Sequence, residues 1–356
     1  MVVKSLALAT ASKRYRSLVS GVRIAVDAMG GDFGPSVTVP ACIRALAHHP
    51  ELSIVLVGRE PDIRANLPPD TSFLQDRLTI THCDDVVAMT DKPVFALRNR
   101  RQSSMRIAIE LLQAGEVAAC VSGGNTGALM AMGFYVLKAT PGIDRPAICT
   151  ALPTAEGHCY LLDLGANVDS RAEHLHQFAI MGSLLAQVLD DKASPEVVLL
   201  NIGEEANKGN SQVKLAAELI GRDKRLNYGG YLEADRLFLG EADVAVCDGF
   251  VGNVAIKSSE GTARLIASKI AQEFNRNLFT RLLAKMVWPA IQRVQKAIDP
   301  AAYNGAFFLG LQGVLVKSHG NADVDGFVRA IDRSLLAVEN NMVALLDEQL
   351  ELINRA

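Results

Sequence analysis

Five stretches of the chain set glycine beside asparagine, aspartate or a hydroxyl residue, each directly after a short, mostly apolar run that is in most cases β-branched. They are Asp27-Ala28-Met29-Gly30-Gly31-Asp32, Ser122-Gly123-Gly124-Asn125-Thr126-Gly127, Asp163-Leu164-Gly165-Ala166-Asn167-Val168-Asp169, Gly203-Glu204-Glu205 with Lys208-Gly209-Asn210, and Cys247-Asp248-Gly249-Phe250-Val251-Gly252-Asn253. A segment with helical periodicity follows each. Glycine ahead of a helix frees backbone N–H groups and the helix dipole adds partial positive charge, so such loops suit a small anion. The 122–127 stretch adds a hydroxyl and an amide to that backbone. It lacks the lysine of G-x-x-x-x-G-K-[ST], and the chain nowhere contains G-x-G-x-x-G, which removes the common nucleotide clamps. Taken alone, the stretch reads equally as a tight turn with an N-cap. Its recurrence in four similar loops favours a binding site.

The other chemistry-bearing residues are more scattered. Asp27, Asp32, Asp163, Asp169 and Asp248 come singly, and each is explained on its own as an N-cap or turn former. A carboxylate cage for a divalent metal is compatible with them but not demanded. The seven histidines contain no H-x-x-x-H pair, and His174 and His176, two apart on a helix, do not face each other. His319 differs, standing in Lys317-Ser318-His319-Gly320-Asn321 after an apolar run, and reads as a site residue. No G-x-S-x-G supplies an esterase-type serine. Six cysteines with no C-x-x-C spacing read as reduced thiols of a cytosolic protein, not zinc ligands. No metal and no cofactor is called for.

The elements that must position these residues follow from the same pattern. Runs at 22–26, 54–57, 78–80, 117–121, 147–150, 160–162, 197–202, 244–246, 306–309 and 314–316 read as strands, with helices between many of them. Strands apolar on both faces that alternate with helices make a mostly parallel sheet covered on both sides, a three-layer α/β architecture. Right-handed crossovers then bring the strand-to-helix loops to the carboxyl edge, where open α/β sheets bind ligands. The sequence from 324 to 353 reads as one long helix packed on the sheet.

With 356 residues, 49% hydrophobic and 21% charged, the chain has enough apolar material for a large core, and disorder is excluded. A net charge of −3 argues against a nucleic-acid partner. No apolar run approaches the ~20 residues of a membrane span. Residues 1–20 carry Lys4, Lys13, Arg14 and Arg16 and no acid; they read as a disordered leader, with a transit peptide as the alternative. Residues 21–356 read as one α/β catalytic unit of two interleaved lobes, with a soft boundary near Pro141-Gly142.

From 262 to 298 the texture changes. Leu265, Ile266, Ile270, Phe274, Leu278, Leu282, Met286, Ile291, Val294 and Ile298 recur at helical spacing, while seven bases stand against the single acid Glu273. This is a projecting amphipathic helical pair, and Pro289 is expected to end or kink the first helix. Three roles fit it: a core helix with a solvated face, a helical pair at a dimer interface, or a contact for an acidic partner or anionic membrane.

The loops carry a resemblance as well. The stretches 26–32, Ser103-Ser104-Met105-Arg106, 122–129, Gly142-Ile143-Asp144-Arg145-Pro146-Ala147, 162–169, 200–205 with Lys208-Gly209, 248–254, Tyr303-Asn304-Gly305-Ala306 and Lys317-Ser318-His319-Gly320 resemble, in order, those of the bacterial phosphate acyltransferases of phospholipid synthesis, the PlsX family. The likeness covers about 22–346. Two departures are visible: Gly123 stands where the family usually has Ala, and residues 1–20 have no counterpart.

The resemblance implies conversion of long-chain acyl-[acyl carrier protein] and inorganic phosphate into acyl phosphate. It implies a fold like that of phosphate acetyltransferases and isopropylmalate-type dehydrogenases. It also implies a homodimer, a cytoplasmic enzyme peripherally attached to an anionic membrane, and a membrane glycerol-phosphate acyltransferase as the consumer of its product. Phosphate is already an adequate nucleophile, so positioning and electrostatics dominate such a reaction.

On that reading Ser122, Gly124, Asn125, Thr126 and Gly127 hold phosphate, helped by Lys208 and Lys257. Asn167 and Asn253 hold the carbonyl oxygen, Lys317 or His319 stands near the leaving thiolate, and Asp27 and Asp248 orient their neighbours. Arg276, Arg281 and Lys285 would meet the acyl carrier protein or the membrane. The competing functions are an NAD(P)-dependent hydroxy-acid dehydrogenase of similar fold and a non-catalytic scaffold binding the acyl carrier protein.

Overall fold

The computed structural model describes residues 21–297 and 303–353, so the expected leader lies outside the described residues. Two compact units share the chain discontinuously. Among the described residues the first takes 21–146, 184–192 and 304–353; the second takes 147–183, 193–297 and Tyr303.

The first unit opens with β1 (Val22–Asp27), α1 (Pro35–His48), β2 (Leu52–Gly58), α2 (Glu60–Ala65), β3 (Leu78–His82), α3 (Pro93–Asn99), α4 (Ser104–Gln113), β4 (Ala119–Ser122) and α5 (Thr126–Leu137). The second contains β5 (Ala147–Thr154), β6 (Gly157–Leu162), α6 (Ala172–Asp190, shared between the units), β7 (Glu196–Asn201), α7 (Ser211–Arg222), β8 (Asn227–Glu233), β9 (Val244–Val246), α8 (Gly249–Phe274) and α9 (Leu278–Ala297). The chain returns to the first unit with β10 (Ala306–Leu309), β11 (Val314–Lys317), α10 (Val324–Glu339) and α11 (Met342–Ile353).

In the first unit the strand order is β3-β2-β1-β4-β11-β10, parallel throughout except for β10, which runs against β11. Ile24, Ala25, Val26, Cys120, Val121, Leu315 and Val316 are wholly buried, as strands covered on both faces require. Helices α1 and α10 pack together over β1, β2, β4 and β11, while α4 and α5 form a second pair on the same strands. The three central strands end level: Asp27 and Lys317 are both matched to Ser122.

In the second unit the order is β5-β6-β9-β7-β8. An antiparallel hairpin joins β5 to β6, and the rest is parallel. The mostly parallel α/β architecture predicted from the strand pattern is therefore the observed one. Strand β8 escapes that pattern because Gly229 and Gly230 interrupt it, and its pairing with β7 shifts register between Val197 and Val198.

Two helix boundaries differ from expectation. Pro289 lies inside α9 and does not end the first helix. The break falls at 275–277, where Asn277 caps α9 reciprocally: its Oδ1 accepts the Thr280 N–H at 2.9 Å and its own N–H donates to Thr280 Oγ1 at 3.1 Å. Likewise the C-terminal helix is two helices, because Asn341 takes a left-handed φ of 52° between α10 and α11. No described helix is long and apolar enough to cross a membrane.

Candidate active site

Parallel strands present their carboxyl ends on one edge, so in the first unit the turns after β1, β4 and β11 meet. Asp27, the last residue of β1, is 2% exposed. Its Oδ1 accepts the Ser104 hydroxyl and its Oδ2 the Ser122 hydroxyl, both at 2.6 Å, and Ser122 Oγ in turn accepts the Gly124 N–H at 3.0 Å. Burial pushes the Asp27 carboxyl above the usual carboxylate range, against the pull of the two serines, the Met29 amide and Lys317. Gly30 closes over this chain. A Cβ there would sit 2.7 Å from both Asp27 Oδ2 and the Gly124 nitrogen, so the close approach of the two turns requires glycine.

Lys317, 8% exposed, turns its ammonium to the carbonyls of Gly123, at 3.1 Å, and Ser318. The Asp32 N–H donates to Gly320 O at 2.7 Å and completes the joining of the three turns. A shallow cleft is lined by Gly30, Gly31, Gly123, His319 and Gly320, with the His319 side chain exposed at it. Buried Asn304 fixes the backbone there, accepting the His319 N–H at 2.9 Å and donating to Ser318 Oγ at 2.8 Å.

Asn125 is the N-cap of α5. Its Oδ1 accepts the Ala128 N–H at 3.0 Å, and its Nδ2 donates to Met89 O at 2.8 Å and Asp91 O at 2.9 Å. The amide that the sequence offers to an anion therefore ties the 88–91 loop to the helix start. The anion-binding capacity of this turn rests on its backbone: the first-turn N–H groups of Thr126 and Gly127 have no intrahelical acceptor. Thr126 is exposed, whereas Ser122 and Gly124 are buried.

In the second unit the turns after β6 and β9 meet in the same way. Asp163, fully buried, gathers five donors: the N–H groups of Ile148, Leu164 and Ala166 on Oδ1, and the Asn167 N–H and Nδ2 on Oδ2, over 2.7 to 3.1 Å. Burial nevertheless places its pKa above the ordinary value. Asp248 caps α8 by accepting the Phe250 N–H at 2.9 Å and, through its other oxygen, the Ser170 N–H at 2.8 Å. Gly249 N donates to Asn167 O at 2.9 Å. Asn253 is exposed on α8 above Gly165, where a Cβ would lie 3.7 Å from its own.

Lys257, one helical turn beyond Asn253, is bonded to Glu260 at 3.0 Å. Lys208 is exposed in the turn after β7. Arg276, Arg281 and Lys285 are exposed on the α8–α9 hairpin, Arg276 lying 3.4 Å from Glu273. The structure thus joins Asp27, Ser122, Gly124, Asn125, Thr126, Gly127, Lys317 and His319 in one set, and Asn167, Asp248 and Asn253 in another. Sequence reasoning missed Ser104 and Asn304 as members of the first set and Asp163 as the organiser of the second. Ser104 is 77 positions from its carboxylate partner; the motif stretches that contain it and Asn304 were the available signal.

Strand-end turns that open helices, a buried lysine beside them and a carboxylate–serine network make an α/β candidate site of a chemistry that suits a small anion. Solved structures of that architecture include a phosphotransacetylase from Streptococcus pyogenes, with a TM-score of 0.60 at 17% identity over 95% of this chain and 99% of that one. A branched-chain phosphotransacylase from Enterococcus faecalis V583 gives a TM-score of 0.53 at 15% identity over 88% and 99%. These likenesses establish the fold.

Sequence relatives narrow the class further. A Legionella pneumophila (strain Paris) protein named phosphate acyltransferase is 49% identical over 93% of this chain and 97% of that protein. One of the same name from Ectopseudomonas mendocina (strain ymp) is 51% identical over 92% and 97%. The profile of the family described as fatty acid synthesis protein matches residues 22–345. The chain belongs to this family, that of the phosphate acyltransferases, and is an acyltransferase.

Proposed function

We propose that the enzyme transfers the acyl group of a long-chain acyl-[acyl carrier protein] to inorganic phosphate, giving acyl phosphate and the free carrier for phospholipid synthesis. The observation that carries this reading is the level ending of Asp27, Ser122 and Lys317 beneath a glycine turn that opens α5. A phosphate oxygen attacks the thioester carbonyl carbon, the C–S bond breaks, and the sulfur takes up a proton. The backbone amides of Thr126 and Gly127 and the dipole of α5 suit the phosphate. Lys317 supplies fixed positive charge beneath the turn, and His319, exposed at the cleft, is the group suited to protonate the leaving sulfur. Asp27 orients Ser122, and through it the Gly124 amide.

The second unit, taken by itself, offers Asn253 as an exposed amide that suits an oxygen ligand, with Asn167 and Asp248 shaping the turn beside it. Lys208 and Lys257 are accessory cations. Outside the site, the α8–α9 hairpin leaves Leu265, Ile266, Ile270, Phe279, Leu282, Met286 and Trp288 exposed. Its apolar stripe suits pairing of two copies, and its basic face, with Arg276, Arg281 and Lys285, suits an anionic membrane surface, where a glycerol-phosphate acyltransferase would take the product.

The test incubates purified enzyme with acyl-[acyl carrier protein] and phosphate and traps acyl phosphate as the hydroxamate with hydroxylamine. Hydroxamate that depends on both phosphate and enzyme is expected. Its absence from folded protein would refute the reading, as would nicotinamide-dependent turnover of a hydroxy acid.

A further inference from the structure

We infer that the surface formed by α3, α4 and the end of α5 docks an acidic carrier protein, an inference that rests on the carrier-bound donor proposed above. Residues 92–113 hold five bases, Lys92, Arg98, Arg100, Arg101 and Arg106, against the single acid Glu110, in a chain whose net charge is −3. Two of the five are used internally. Arg100 binds Asp85 at 2.8 Å and Asp91 at 3.3 Å, and Arg106 binds Glu110 at 2.6 Å while lying 5.2 Å from the Tyr135 ring centroid. Lys92, Arg98 and Arg101 are exposed, and their side chains make no ion pair or hydrogen bond among the described residues. Lys138 is exposed at the end of α5, its ammonium 4.8 Å from the same Tyr135 ring.

Uncompensated bases alone make a solvated surface; here they surround exposed aromatic area. Phe95, Phe134 and Tyr135 are 46%, 43% and 55% exposed. Arginine with aromatic residues is the composition of protein-binding surfaces. The surface is also connected to the site. Pro93, next to Lys92, packs on Gly127, with its Cγ 2.6 Å from where a Cβ of that glycine would be. Gly127 belongs to the anion turn, and α5 carries the surface from there to Lys138, a run of 12 residues or about 18 Å. A partner seated on the surface therefore stands within one helix length of the turn where its thioester must arrive. The partner that compensates this charge is an acidic protein face. A membrane is the poorer fit, since this surface lacks the long aliphatic stripe of the α8–α9 hairpin.

The test compares wild type with R98E/R101E, using acyl-[acyl carrier protein] and the same acyl group on pantetheine as donors, with direct binding of fluorescently labelled carrier protein as a second readout. The double reversal is expected to raise KM for the carrier-bound donor, and the Kd of the labelled carrier, on the order of tenfold, with kcat little changed. R98K/R101K should stay near wild type, and turnover of acyl-pantetheine should be unaffected. Unchanged KM and Kd in R98E/R101E would overturn the inference. So would loss of pelleting with anionic phosphatidylglycerol vesicles while carrier binding is retained, which would assign the surface to the membrane. Failure of the donor reading shows separately: wild type itself would then bind no carrier and turn over only acyl-pantetheine.

Discussion

Asp27 and Lys317 close two strands on either side of β4 and stand level with each other across Ser122. The carboxylate takes the Ser122 hydroxyl at 2.6 Å, while the ammonium binds the carbonyl of Gly123, one residue further on. Both charges are nearly withdrawn from water, and burial lifts the Asp27 pKa more than Lys317 and the serines depress it. Two charged side chains thus hold the first residues of the glycine turn from opposite sides, leaving the amides at the start of α5 available.

Asp27 should tolerate an amide better than a truncation. Asp27→Ala leaves two buried serine hydroxyls without an acceptor and is expected to cost about 1–3 kcal/mol; Asp27→Asn keeps the shape and allows the hydroxyls to reorient. The pH dependence has a definite sign. A carboxyl whose folded pKa lies above the ordinary 3.8 favours folding below that value and loses this contribution as pH rises through the folded pKa. Urea unfolding at pH 7 and pH 5 should show Asp27→Asn gaining less from acidification than wild type.

Asn125 should separate capping from bridging. Asn125→Ala removes both, so the start of α5 loses its fixed position; turnover is expected to fall well over tenfold, with about 1 kcal/mol of stability lost with the cap. Asn125→Asp keeps an acceptor for the Ala128 N–H but loses the donors to Met89 and Asp91. Its second carboxylate oxygen would face two carbonyl oxygens, so turnover should fall and melting temperature should fall with it, although the cap survives. Near-wild-type turnover in both variants would remove this turn from the mechanism.

Two glycines of one helix should respond oppositely to alanine. At Gly252 a Cβ would lie 2.0 Å from the Asp163 carbonyl oxygen, while at Gly261 nothing lies within 4 Å. Gly252→Ala must push α8 off the turn after β6, so thermal melting and turnover should both fall sharply. Gly261→Ala should raise stability by about 0.5–1 kcal/mol, through helix propensity alone.

Asp223 gives the opposite pH sign to Asp27. Its burial raises the pKa, but bonds from Arg225 and from His176, the latter at 2.9 Å, outweigh that and hold it at about 2. A depressed carboxyl stabilises above its unfolded value, and the contribution disappears as pH falls through the folded one. Asp223→Asn should therefore be measurably less stable than wild type at pH 7, with the gap narrowing below pH 4.

The hairpin prediction concerns charge. Arg281→Glu with Lys285→Glu should reduce pelleting with anionic vesicles several-fold while leaving hydroxamate formation from soluble substrates intact, since neither residue lies at the strand-end turns. Equal pelleting of variant and wild type would count against membrane contact through this face.

The sequence by itself determined the local parts. Runs such as 24–26 and 244–246 are apolar on both faces and end at Asx-glycine turns, which specifies buried parallel strands feeding helices, and the Gly-Asn-Thr-Gly turn specifies the start of α5. Local chemistry also contains what the hydrophobic period hid: the reciprocal Asn277–Thr280 cap sets the helix break, and Pro289, in the middle of α9, does not. Only the tertiary structure decided which side chains share a site. Ser104 reaches Asp27, Asn304 holds the His319 backbone, and Asp163 collects donors from strand β5 and its own loop. Such partners are chosen by strand order and register, and these are set by long-range burial, which leaves no local spacing in the chain.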